Sequence, residues 1–219
     1  MEPDQLMRVY ERLLARFGPQ KWWPARSPFE VMVGAVLTQN TAWTNVEKAI
    51  RNLRAAGLLS ARKLVGAPRD VVAELVRPSG YYNVKADRLL SFARWFWERY
   101  GGRVSAMRGA TQELRAELLA VRGIGEETAD SMLLYALGRP VFVVDAYTRR
   151  VLVRHGLLGA KAPYSEVQRF FEERLPRDAS LYNEFHALWV ALGKDVCRPS
   201  PRCEVCPLRE CLPDRVCAT

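Results

Sequence analysis

The chain has 219 residues, 49% of them apolar and 26% charged, a balance that fits one folded domain or two small lobes and excludes a disordered chain. Its apolar runs fall short of the roughly 20 residues of a membrane span, and no charged start with an apolar stretch marks an export signal, so a cytoplasmic protein without a membrane partner is expected. A formal charge of +9 at pH 7 favours a polyanionic partner, because each neutralised phosphate releases condensed counterions.

Arginine supplies 27 of the 33 basic residues, and its planar fork suits phosphate oxygens, although genome composition or a hot habitat would produce the same bias. From the N-terminus, residues 4–17 set Leu6, Val9, Tyr10, Leu13 and Leu14 at a three-to-four spacing that predicts an amphipathic helix. Residues 29–37 predict a more uniformly apolar helix. Turn signals then recur at Gly57, Pro68, Pro78 to Gly80, Gly101 to Gly102, Gly123 to Gly125, Gly138 to Pro140, Gly156 and Pro163, leaving helix-length pieces between them. Only Pro140 to Val144 reads as extended, and a connector fits it better than a sheet strand, so the fold class is all-α. Trp95 and Trp97 lie on an ordinary helix and read as core; His155 and His186 read as core or surface groups without a ligand-spaced partner.

Residues 121–130, VRGIGEETAD, form a glycine hairpin opening onto a helix, where backbone N–H groups and the helix dipole favour a phosphate. Glu126 and Glu127 follow at once, in the first helical turn. Asp145 ends the apolar run Val141 to Val144 and stands where a helix opens; it could cap that helix or hold a carboxylate beside reacting atoms. All five cysteines fall in the last 23 residues, as Cys197-x5-Cys203-x2-Cys206-x4-Cys211-x5-Cys217. Disulfides are disfavoured in a cytoplasmic chain, so the first four read as ligands of a 4Fe-4S iron-sulfur cluster or of a single zinc ion, with Cys217 spare. Arg198 and Arg202 bracket a stiff loop between the first two cysteines and suit a DNA backbone.

Taken together, the hairpin, the stretch VVDAYTRR at 143–150 and the cysteine tail resemble the helix-hairpin-helix DNA glycosylases of the endonuclease III type, over about residues 24–211. The resemblance implies a six-helix barrel lobe over about 24–137, with the hairpin motif at about 113–137. A second lobe would join 1–23 to 138–219 and carry the 4Fe-4S cluster at 197–211. It also implies a monomer that binds double-stranded DNA containing damaged bases. The family's usual spacing, Cys-x6-Cys-x2-Cys-x5-Cys, is one residue longer in its first and last loops. On this resemblance Asp145 is the catalytic carboxylate, Gly123 and Gly125 grip the phosphate, and Gln39 in Leu37-Thr-Gln-Asn-Thr41 fills the gap left by the flipped base. Tyr81 would be the wedge on the opposite strand and Lys85 part of a backbone-contacting hairpin.

Members that cleave the strand carry a Schiff-base lysine where this chain has Glu127, so water is the expected nucleophile and AP-lyase activity weak or absent; Lys194 and Lys85 are the lysines that could replace it. Trp22, Trp23, Pro24 and Trp43 resemble the pocket of the branch that excises 3-methyladenine. Electron-rich indoles suit a cationic N-alkylated purine, which is also a good leaving group. The expectation is therefore a monofunctional base-excision-repair glycosylase for alkylated purines. The alternatives are a bifunctional glycosylase and AP lyase for oxidised pyrimidines, and a non-catalytic DNA-binding module.

Overall fold

The computed structural model describes residues 1–210 and 212; the expectations for Cys211 and Cys217 lie outside the described residues. Among the described residues there is no strand, Pro140 to Val144 is a connector in neither helix nor strand, and no helix is long and apolar enough to cross a membrane. The chain divides into two compact units, Trp23–Arg139 and Met1–Trp22 with Pro140–Thr219.

In the first of these units α2 (Pro28–Leu37) is the central element. Every residue from Phe29 to Leu37 is buried, as the unbroken apolar run requires, and Ser27 caps its start by accepting the Glu30 N–H. Around it pack α3 (Trp43–Ala55) and α6 (Tyr82–Tyr100), while α4 (Ala61–Val65) and α5 (Arg69–Val76) lie against α6. A 3-10 turn, Arg77–Ser79, joins α5 to α6. The hairpin motif is α7 (Thr111–Leu119) and α8 (Glu126–Ser131), continued by a π-helical turn at Met132–Ala136 that packs on α2. Phe29, Phe92, Trp95, Phe96 and Tyr100 form an aromatic cluster between α2 and α6. Trp97, expected in the core, is instead 38% exposed: it falls on the outer face of α6, where its ring lies on Gly102.

The other unit contains α1 (Pro3–Phe17), α9 (Ala146–Arg154), α10 (Tyr164–Glu172) and α11 (Ala179–Asp195). α1 buries Leu6, Val9 and Leu13 and packs on α11. α11 also packs on α9, and closely: a Cβ at Gly193 would stand 2.6 Å from that of Tyr147, so only glycine permits this approach.

Candidate active site

Asp145 lies one residue before α9 in extended backbone, and its Oδ1 accepts the Thr148 N–H at 2.7 Å, which caps the helix. Capping occupies only one carboxylate oxygen. The other, Oδ2, stands 3.7 Å from Nε2 of His186 on α11, and the two side chains are 12% and 5% exposed. Asp145 is thus largely dry yet reachable. Burial alone would push its carboxyl up, but the His186 ring and the Thr148 N–H outweigh burial and hold it below the usual aspartate value, so it is ionised at neutral pH.

His186 itself is stacked on Trp22, with ring centroids 5.9 Å apart and planes 5° from parallel, and meets Phe142 edge-on. It was expected as a core or surface group; it is buried, but it also faces Asp145. Removing the imidazole has a defined sign. In His186→Gln the imidazole beside the carboxylate is gone, so burial is less opposed and the Asp145 carboxyl titrates at a higher pH. The acid limb of single-turnover base release is expected to move to higher pH than in the wild type, with the plateau rate changed less. An acid limb at the wild-type position would show that His186 does not govern Asp145.

At the hairpin, Gly123 takes φ +92°, and a Cβ there would collide with the Arg88 side chain; glycine is required on both counts. Gly125 is the N-cap of α8, with nothing within 4 Å of where a Cβ would be. Ile124 between them is buried. Glu126 and Glu127 are exposed in the first turn of α8, and Glu126 lies 3.5 Å from Arg115. Arg115 on α7 also forks onto Asp130 on α8, at 2.6 and 3.0 Å, and the Asp130 side chain is fully buried. This bidentate pair joins the two helices of the motif.

One sequence expectation needs correction. Lys85 cannot touch a DNA backbone: it is 1% exposed, and its ammonium donates to the carbonyls of Leu37 at 2.8 Å and Ser79 at 2.5 Å. Burial, and then the neighbouring Arg88, push its pKa down to about 8. Gln39 is engaged within the protein: its amide donates to the Gly123 carbonyl and the Thr128 hydroxyl and accepts from Arg88. Its neighbour Asn40 is the exposed residue of that turn, at φ +53°. Tyr81 is 73% exposed at φ +46°.

Of the tryptophans, Trp23 and Trp43 meet edge-on at 5.1 Å, Tyr135 lies 5.2 Å from Trp23, and a Cβ on Gly34 would come within 3.1 Å of the Trp23 ring. Trp43 donates to Glu47 and, with exposed Pro24, lines a depression of about 420 Å³ that also carries Arg26, Arg51 and Arg54. Trp22, by contrast, belongs to the unit that contains Asp145 and His186.

The cysteine segment is only partly described. Cys197 is buried after α11, and Arg154 donates to its Sγ at 3.3 Å and to the Pro199 carbonyl at 2.7 Å; Arg150 donates to its carbonyl at 2.8 Å. Arg198 and Arg202 are exposed. Cys203 opens the 3-10 turn Cys203–Val205, and Cys206 follows it directly. Among the described residues no group of three or more His, Cys, Asp or Glu side chains is gathered as a metal site.

Residues 33–177, well over half of the chain, match the model of the HhH-GPD superfamily base excision DNA repair proteins. A protein provisionally named as a DNA repair glycosylase in Methanocaldococcus jannaschii is 47% identical over 209 residues, which is 94% of this chain and 95% of that one. Endonuclease III of Thermotoga maritima is 31% identical over 83% of this chain and 81% of its own length. Among solved structures, H. pylori 3-methyladenine DNA glycosylase bound to 1,N6-ethenoadenine superposes with a TM-score of 0.76 at 31% identity, covering 89% of this chain and 98% of that one. A trapped covalent complex of endonuclease III with DNA gives a TM-score of 0.84 at 22% identity, covering 98% and 97%, and shares the fold. The hairpin locked by Arg115 and Asp130, the capped carboxylate of Asp145 and these likenesses agree: the chain belongs to the HhH-GPD superfamily of base excision DNA repair proteins.

Proposed function

We propose that this DNA glycosylase hydrolyses the N-glycosidic bond of alkylated purines such as 3-methyladenine in double-stranded DNA, with water as nucleophile. The observation that carries the reading is the ionised, nearly buried carboxylate of Asp145 beside His186. Bond breaking builds positive charge on the sugar, and a carboxylate held in a dry site stabilises that charge or takes the proton of the attacking water. The proton then resides on Asp145 until solvent removes it. A base that is already cationic leaves without a strong general acid, which matches a site with one carboxylate. Trp22, Trp23, Pro24 and Trp43 would hold such a base through ring faces. The likeness to the 3-methyladenine glycosylase at 31% identity supports this substrate class. The glycine hairpin would hold a DNA phosphate, with Arg198 and Arg202 adding cations.

The absence of a Schiff-base amine rests on two positions. Glu127 stands where the strand-cleaving members of the family have lysine, and Lys85 is sequestered between two carbonyls. Lys194, exposed in the last turn of α11, is the lysine to check. Borohydride added during turnover on a methylated duplex is expected to trap no covalent adduct above background, while free base is released. A strong adduct would favour the second reading, a bifunctional enzyme for oxidised pyrimidines, for which the likeness to endonuclease III of T. maritima speaks. A release assay over methylated, oxidised and deaminated duplexes separates the substrates: release of thymine glycol alone would overturn the purine assignment.

We further propose that Cys197, Cys203, Cys206 and Cys211 hold a 4Fe-4S cluster. The cation supplied by Arg154 at Cys197 suits an anionic thiolate assembly. Bound there, the group would join the cysteine loops to one another; no step of base release runs through it. Iron and sulfide analysis of anaerobically purified protein, with visible absorbance, distinguishes it from zinc.

A further inference from the structure

Three non-glycine residues adopt left-handed backbone among the described residues, and two of them, Asn40 and Tyr81, share one anchor. L-residues enter this region rarely, and they stay there when the surrounding structure holds them. Asn40 comes three residues after Leu37 and Tyr81 two after Ser79, and these are the two residues whose carbonyls accept from the ammonium of Lys85. Both side chains are exposed, whereas Lys85 beneath them is buried. We propose that Lys85 is a positioning residue: a single buried ammonium ties the turn that presents Asn40 to the turn that presents Tyr81, and so fixes how far apart the two side chains enter a duplex around a displaced base. The inference rests on reading the chain as a base-displacing glycosylase.

The chemistry of the position supports it. A lysine whose pKa is pushed down to about 8 is one that burial disfavours as a cation, so its charge opposes folding rather than promoting it. A well-packed apolar side chain would serve the core as well or better. What only an ammonium offers here is several donors at one point, able to hold carbonyls from segments far apart in the chain. Leu37 is the last residue of α2 and Ser79 the last of a 3-10 turn, positions whose carbonyls lack a donor within their own helix. One turn further along α6, Arg88 donates to Gln39, which in turn donates to the Gly123 carbonyl. The same helix therefore ties the Asn40 turn to the phosphate hairpin as well.

A merely structural lysine and a positioning one differ in how their loss combines with loss of the side chains they present. The test is a cycle on the full chain, using a duplex with a tetrahydrofuran abasic analogue flanked by 2-aminopurine, whose emission reports insertion. Lys85→Met is expected to lower the insertion equilibrium about tenfold, the scale of losing hydrogen bonds to a charged donor. In the Asn40→Ala/Tyr81→Ala background the same change should alter the signal less than about twofold, because nothing remains to be placed. Equal effects in both backgrounds, or wild-type insertion by folded Lys85→Met, would overturn the proposal. If Lys85→Met does not fold, Lys85→Gln, which keeps a shorter donor, runs the same cycle with the same criteria. Failure of the underlying reading looks different: wild-type protein then releases no base from any damaged duplex.

Discussion

Asp145→Asn is expected to lower single-turnover base release about 10²–10⁴-fold, the range associated with loss of a positioned acid-base group. The substitution isolates charge from structure. Asparagine is as good an N-cap as aspartate, so its side-chain oxygen can still accept the Thr148 N–H and α9 keeps its start. What disappears is the negative charge that His186 and the Thr148 N–H keep ionised in a nearly dry position. Affinity for an abasic-analogue duplex, read by fluorescence anisotropy, should change less than about threefold, since the hairpin and the exposed arginines are untouched. Release at the wild-type rate would remove Asp145 from the chemistry. Parallel loss of release and of DNA binding would instead point to a damaged fold, and a wild-type protein that binds but releases nothing would leave the DNA-binding module as the reading.

Arg115→Met is expected to destabilise the chain by about 3–5 kcal/mol, the usual effect of removing one partner from a buried ion pair. The Asp130 carboxylate is fully buried and accepts from two guanidinium N–H groups of Arg115, so the substitution removes that fork from a buried charge. Against a typical domain stability of roughly 5–15 kcal/mol this is a large fraction. Urea unfolding followed by far-UV circular dichroism measures it. The double variant Arg115→Met/Asp130→Leu should recover most of the loss, because replacing both partners leaves no uncompensated charge. A single variant within 1 kcal/mol of wild type would mean that the pair does not hold α7 to α8. The hairpin's grip on DNA should weaken in step with the lost stability.

Periodic and punctuating residues made much of this chain readable in advance. Leu6, Val9 and Leu13 repeat at helical spacing and all three are buried; Pro140 to Val144 connects helices without joining a sheet. The hairpin glycines were legible because a positive φ at Gly123 leaves glycine few substitutes. Local pattern failed where the deciding contact comes from a distant segment. Nothing in Gly-Tyr-Tyr-Asn-Val-Lys-Ala reveals that the lysine turns inward, since its two acceptors, Leu37 and Ser79, meet only after α2 and α6 have packed. The sequence of the turn at 38–41 does not say which of two adjacent amides reaches Thr128 and which faces out. His186 did leave a trace, as it falls on the same helical stripe as Tyr182 and Trp189, a buried face on which an ionisable ring calls for a partner. That partner, Asp145, lies 41 positions away in the chain.

α9 has Asp145 at its head, while Arg150 and Arg154 further along it hold the backbone of Gly193 and Cys197 and the sulfur of Cys197. Nine helical residues span only about 13 Å, and a helix so short moves as a rod. Asp145 and Cys197 are therefore mounted on one lever, whose fulcrum is the bare backbone of Gly193 against Tyr147. If the proposed roles of the two residues hold, a change at Cys197 that tilts the far end of α9 would also re-aim the carboxylate at the near one.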